Sequence, residues 1–237
     1  MSNFKIAMSA GHYRYTAGKR CAKSLDPKQT REWVLNDRIA DKVEKLLEGY
    51  TGYELLRLDD TTGETSVLIQ DRAKRANDWG ADLYLAIHHN AAGYIFSGGG
   101  ITVYVRNKPL EESVQWQKDM YDALIKETGL KGNRETPLAR SNLHEVYAPK
   151  MAAVLLELGF MDSSVDVPVI LTEEYADKCA RAIVKVLAER GNLEKKPETR
   201  ELYRVQVGAY EVKANAEAML KKLQADGYEG FIVKVNR

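Results

Sequence analysis

Cysteine is scarce in this chain. Cys21 and Cys179 are the only two among 237 residues, and they form no ligand-spaced cluster. That spacing excludes a disulfide-built scaffold and a thiolate metal cluster, and leaves both as expected free thiols. An excess of charge is missing too: 35 Lys+Arg stand against 34 Asp+Glu, a net of +1, which argues against a nucleic-acid partner. No run approaches the ~20 apolar residues of a membrane span, so no membrane insertion is expected. The opening "MSNFKIAMSAGHY" has no basic start leading into a long apolar stretch. A signal peptide is therefore not expected, and the protein should be made in the cytoplasm and act elsewhere only after release.

What is present is an alternation of strand-like and helix-like segments. "FKIAMSA" (residues 4–10) reads as a buried strand ending at Gly11. In "TREWVLNDRIADKVEKLLEGY", Leu35, Ile39, Val43 and Leu46 recur at helical spacing. "YELLRL" reads as a strand, and "SVLIQDRAKRANDWG" as a helix with Ser66 as cap and Gly80 as stop. "ADLYLAIHH" and "GGITVYV" read as further strands, and "LEESVQWQKDMYDALIKETG" as a long helix ending at Gly129. "MAAVLLELGF" is almost wholly apolar, as a central strand covered on both faces would be. "TEEYADKCARAIVKVLAERG" reads as a closing helix capped by Thr172. The pattern implies an α/β fold, a mostly parallel twisted sheet flanked by helices, over residues 1–191.

The composition then shifts. Residues 192–202, beginning "NLEKKPETRE", are polar and charged, carry Pro197, and read as a linker. Residues 203–237 read as a small C-terminal β-α-β module: Val205 and Val207 alternate with polar residues, Ala216, Met219, Leu220 and Leu223 form a helical stripe, and "FIVKV" is a second strand. A unit of about 35 residues buries its own apolar faces poorly, so it should pack on something else.

Polar residues interrupt the apolar pattern at telling places. His12 follows the first strand, His88 and His89 end the third, and Glu157 lies inside "AVLLELGF". A parallel sheet gathers its strand C-terminal ends on one edge, where ligands bind, so these residues should meet there. Glu32 starts the first helix, on the face continued by Asn36, Ile39 and Val43, which aims it at the same edge. The alternative for Glu32 is a first-turn carboxylate favoured by the helix dipole. Two histidines and a carboxylate make a recurring catalytic zinc shell that leaves a fourth position for water. A further carboxylate then serves as general base, a role that suits Glu157; the alternative is a buried ion pair with an arginine.

These pieces resemble the zinc-dependent N-acetylmuramoyl-L-alanine amidases of autolysins and phage endolysins. The matching stretches are "SAGHY", "REWVLNDRIADKVEKLL", "RAKRANDWGADLYLAIHHNAA" and "AAVLLELGFMDS", in the family's order. The resemblance implies one catalytic Zn2+ held by His12, Glu32 and His88, with His89 in a variable slot and Glu157 as general base. Strand alternation agrees that only one histidine of the pair points at the metal. Arg72 and Asn77 also match and read as helix-to-sheet anchors. The family's usual Asp-Pro-Gly-His is "SAGH" here, which removes an acidic residue at Ser9, and "MDSSVD" follows "ELGF" where an asparagine is usual. His144, in "SNLHEVY", is a candidate contact to substrate or transition state, or else a surface histidine.

The tail "YRVQVGAYEVKANAEAMLKKLQADGYEGFIV" resembles half of a sporulation-related (SPOR) repeat, which binds peptidoglycan glycan strands. The resemblance implies peptidoglycan as partner, Gln206 and Tyr210 as glycan contacts, and a homodimer in which two half-repeats complete one sheet. The expected activity is hydrolysis of the amide between N-acetylmuramic acid and L-alanine, on the cell wall after release by lysis. The alternatives are a zinc peptidase acting within the stem peptide and a non-catalytic wall-binding protein.

Overall fold

A computed structural model describes residues 2–132, 137–197 and 205–235. The chain divides into two compact units, Met1–Lys196 and Pro197–Arg237. In chain order the first unit contains β1 (Phe4–Ala10), α1 (Glu32–Leu47), β2 (Tyr50–Thr51), β3 (Tyr53–Arg57), α2 (Ile69–Trp79), β4 (Leu83–Asn90), β5 (Ile101–Val105) and α3 (Glu111–Thr128). It continues with β6 (Leu138–Arg140), α4 (His144–Tyr147), β7 (Ala152–Phe160), α5 (Val167–Ile170), α6 (Glu173–Gly191) and β8 (Glu194–Lys195).

Six strands form one sheet in the order β3-β1-β4-β7-β5-β6. The pairs β1–β3, β1–β4 and β4–β7 are parallel, β5 runs antiparallel to β7, and β6 is parallel to β5. Residues Leu83 to Ile87 of β4 are all fully buried, without alternation, because helices cover both faces of the sheet. On one face α1, α3 and α6 bury Ile6, Met8, Leu85, Ile87, Val154 and Leu156. On the other, α2 and α4 bury Ala7, Tyr84, Ala86, Ala153 and Leu155. The period of two in these lists fixes which face each polar residue at the strand ends must occupy.

Helix punctuation follows from residue chemistry. Gly80 and Gly129 end α2 and α3 with φ of 68° and 75°, a left-handed conformation that costs glycine nothing. The Thr172 hydroxyl accepts a hydrogen bond from the Tyr175 amide at the start of α6. Ser66 does not cap α2: the helix begins after Leu68, whose carbonyl accepts from the amides of Asp71 and Arg72, and no side chain caps it.

Three further differences have physical reasons. A parallel partner on the same edge needs a crossover, usually a helix, whereas residues 91–100 between β4 and β5 contain none. Strand β5 accordingly enters antiparallel, and only the β5-α3-β6 unit restores a parallel pair. The expected linker begins later than 192, because Leu193 is buried and Glu194–Lys195 pairs with Tyr50–Thr51; residues 198–202 lie outside the described set. In the second unit α7 (Lys213–Ala225) forms where the apolar stripe lies, but residues 205–210 and 231–235 make no strand ladder. Among the described residues of this unit no third strand or second layer covers it, and α7 buries none of its residues.

Candidate metal centre and active site

The parallel strands deliver their C-terminal ends to one edge. There β1 runs into Gly11 and His12, β4 into His88 and His89, and β7 pairs Glu157 directly with His88 in the parallel ladder. His88 belongs to the alternation set of Tyr84 and Ala86, so it lies on the α4 face; Glu157, ladder partner of His88, shares that face with Leu155. His89 takes the opposite face, where its Nδ1 meets Asn36 Oδ1 of α1 at 2.8 Å. The register between β4 and β7 shifts just beyond His88, where Gly159 has a φ of 102°. That bulge re-aims the end of β7 beside the site.

Glu32 is the first residue of α1, with its side chain almost fully buried at the sheet edge. Its Oε1 faces His88 Nδ1 at 3.0 Å and accepts from the His89 amide at 3.3 Å. Its Oε2 faces His12 Nε2 at 3.3 Å and Lys19 Nζ at 3.5 Å but takes no hydrogen bond. His12, Glu32 and His88 each offer a ligand atom, and these atoms lie within 4.8 Å of one another. Two imidazoles and a carboxylate whose buried oxygen lacks a donor fit a divalent cation of borderline softness.

His12 has a φ of 68°, unusual for a side chain with a Cβ, at a cost of about 1 kcal/mol. The surroundings hold it there. The Gly11 amide donates to the Ile87 carbonyl, Asn36 Nδ2 donates to the Gly11 carbonyl, and Arg72 donates to the carbonyls of Ala10 and His12. Arg72 is thus the anchor of the loop that carries His12. Asn77 anchors a different segment, donating to the Ala148 carbonyl and accepting from the Lys150 amide.

Electrostatics set the protonation states. Burial works against a charge on His88, but Glu145 and Glu32 outweigh it and push the imidazole up to about 10. Burial likewise opposes charge on Glu145 and Glu32; Glu145 is nevertheless held down to about 2, chiefly by His88, and Glu32 lies well below the usual carboxylate range through His12 and His88. His89 is driven by burial down to about 3 and stays neutral. A cation entering between His88 and Glu32 therefore displaces the proton of His88.

The model of the N-acetylmuramoyl-L-alanine amidase family matches residues 6–189. The chain belongs to that family. The SPOR domain model matches residues 178–234. The sporulation-specific N-acetylmuramoyl-L-alanine amidase of Bacillus subtilis is 30% identical over 79% of this chain and 70% of its own length. N-acetylmuramoyl-L-alanine amidase CwlM of Bacillus licheniformis is 28% identical over 97% of this chain and 84% of its own. Among solved structures, N-acetylmuramoyl-L-alanine amidase from Clostridium difficile 630 superposes with a TM-score of 0.73 at 22% identity, covering 81% of this chain and 98% of that one, a likeness of fold. The protein is an N-acetylmuramoyl-L-alanine amidase that hydrolyses peptidoglycan.

Of the residues expected to act in this amidase, His12, Glu32 and His88 converge, and Glu157 neighbours His88 in the sheet. His144 is the first residue of α4, partly buried, and makes no side-chain hydrogen bond among the described residues. Gln206 and Tyr210 lie in the second unit, exposed, with Gln206 Nε2 donating to the Gly208 carbonyl at 3.3 Å. Both cysteines are free and buried, and burial pushes each thiol up to about 12.

The residue the sequence does not single out is Glu145. It is buried against His88, and no periodicity marks it, because α4 has only four residues. The one available signal is the missing acid at Ser9, whose hydroxyl donates to Glu145 Oε1 at 2.8 Å.

Gly11 explains the small residue in "SAGHY": a Cβ built on it would come within 2.1 Å of the His88 ring. Gly11→Ala is expected to leave the far-UV circular dichroism spectrum unchanged while lowering hydrolysis of cell walls and metal affinity by about 100-fold, through displacement of His88. Turbidity clearing of purified walls and equilibrium dialysis measure the two effects.

Proposed function

We propose that the amidase is a zinc enzyme in which His12, Glu32 and His88 hold the ion and Glu157 is the general base. The observation that carries this reading is the ladder pairing of His88 with Glu157, which sets a carboxylate on the same sheet face as a candidate ligand. When bound, zinc acts as a Lewis acid and makes water acidic enough to attack near neutral pH. Glu157 takes a proton from the water whose oxygen bonds to the lactyl carbonyl carbon and delivers it to the departing amine nitrogen of L-alanine. The amide C–N bond breaks, leaving the lactyl carboxylate on the muramic acid and a free amino terminus on the stem peptide. His144, at the start of α4, contacts the carbonyl oxygen as charge builds on it. His89 stays neutral and orients Asn36, which in turn fixes the Gly11 carbonyl.

The second unit is a half-repeat that binds glycan through Gln206 and Tyr210. Val205, Phe231 and Val235 are 85%, 76% and 80% exposed, more apolar surface than so small a unit leaves unused. A second copy of the same unit supplies the missing strands, giving a homodimer on the wall.

Two experiments test these readings. Glu157→Ala should retain one zinc per chain and lose more than about 1,000-fold in wall hydrolysis, while mass spectrometry of wild-type digests should find free N-terminal L-alanine and intact glycan. Full activity in the variant removes Glu157 from the mechanism, and cuts inside the stem peptide point to a peptidase. Sedimentation velocity at micromolar concentration should show a dimer; a monomer that retains full wall binding contradicts the paired half-repeats.

A further inference from the structure

Glu145 sits at the back of the metal centre with both carboxylate oxygens engaged. Its Oε2 meets His88 Nε2 at 2.8 Å, and its Oε1 accepts from Ser9 Oγ at 2.8 Å and from the Tyr84 hydroxyl at 2.9 Å. Arg72 Nη1 donates to Ser9 Oγ at 2.7 Å, which leaves the Ser9 proton free to point at Glu145. Ser9, Tyr84, Arg72 and Glu145 are each at most 4% exposed. With Oε1 taking two donors, Oε2 is the acceptor for His88, and Nε2 of that ring must carry the hydrogen. Nδ1, which faces Glu32 Oε1, is then the ring atom left to bind a cation.

We propose that Glu145 is a positioning residue for the metal centre: it fixes the tautomer and orientation of His88 so that Nδ1 is presented beside Glu32 and His12. It touches neither substrate nor ion and acts through the histidine. A buried carboxylate in this place also makes the ligand more basic. The short α4 segment that bears it is tied to α2 through Asn77, so two residues of α2 divide the work: Arg72 holds Ser9 and the His12 loop, and Asn77 holds the segment behind His88.

This inference rests on the reading of His12, Glu32 and His88 as zinc ligands, and the test separates the two. Glu145→Gln keeps the shape but offers an amide N–H2 that must face either His88 or the Ser9 and Tyr84 donors. Zinc affinity, measured against a chromophoric chelator, is expected to fall about 10- to 100-fold in Glu145→Gln, with the circular dichroism spectrum unchanged. In the wild type, long-range 1H–15N spectra of the zinc-loaded, 15N-histidine-labelled chain should show His88 ligated through Nδ1 and protonated at Nε2. This second measurement decides the matter if Glu145→Gln does not fold. Wild-type zinc affinity in a folded Glu145→Gln, or ligation through Nε2, overturns the role of Glu145 while leaving the metal centre standing. No zinc binding by the wild type overturns both.

Discussion

The His88 imidazole is gripped at both ring nitrogens by buried carboxylates, Glu32 at 3.0 Å and Glu145 at 2.8 Å, and the surrounding structure is arranged around that grip. Two acidic side chains in a sheet edge are costly: stripping a buried charge of its partner destabilises by about 3–5 kcal/mol. Here each carboxylate comes from a different helix, α1 on one face and α4 on the other, so the histidine at the end of β4 ties both layers to the sheet. The Gly11 backbone packs against the imidazole where a side chain would collide with it. Arg72, Asn36 and Asn77 then satisfy the loop carbonyls that bring His12 and α4 to the same place.

The same geometry gives the two adjacent histidines different work. Strand alternation sends His88 to the α4 face, among carboxylates that favour a cation, and His89 to the α1 face, where it meets Asn36 and burial keeps it neutral. In the proposed zinc site, one ring exchanges a proton for the metal ion. The other serves the loop that presents His12.

Much of this was legible in the sequence because it follows from period and topology. Strand ends at Gly11 and His88, the helical spacing from Glu32 through Asn36 to Ile39, and the apolar run around Glu157 together point to one sheet edge. What escaped has equally physical causes. Helix α4 has four residues and no period to read, so Glu145 stayed behind the more conspicuous His144. The reversal of β5 depends on the absence of a helix in residues 91–100, which apolar patterning does not report. In the tail the alternation at Val205 and Val207 is a strand signal, yet strands need partners, and one β-α-β unit offers too few.

In the proposed zinc site, the edge of β4 presents one histidine to the metal and withholds the other. Zinc content of purified His88→Ala and His89→Ala, measured by atomic emission on protein of verified fold, tests it most directly. The account predicts that His88→Ala loses the metal and that His89→Ala keeps about one zinc per chain. Retention of zinc by His88→Ala together with its loss from His89→Ala would contradict the account.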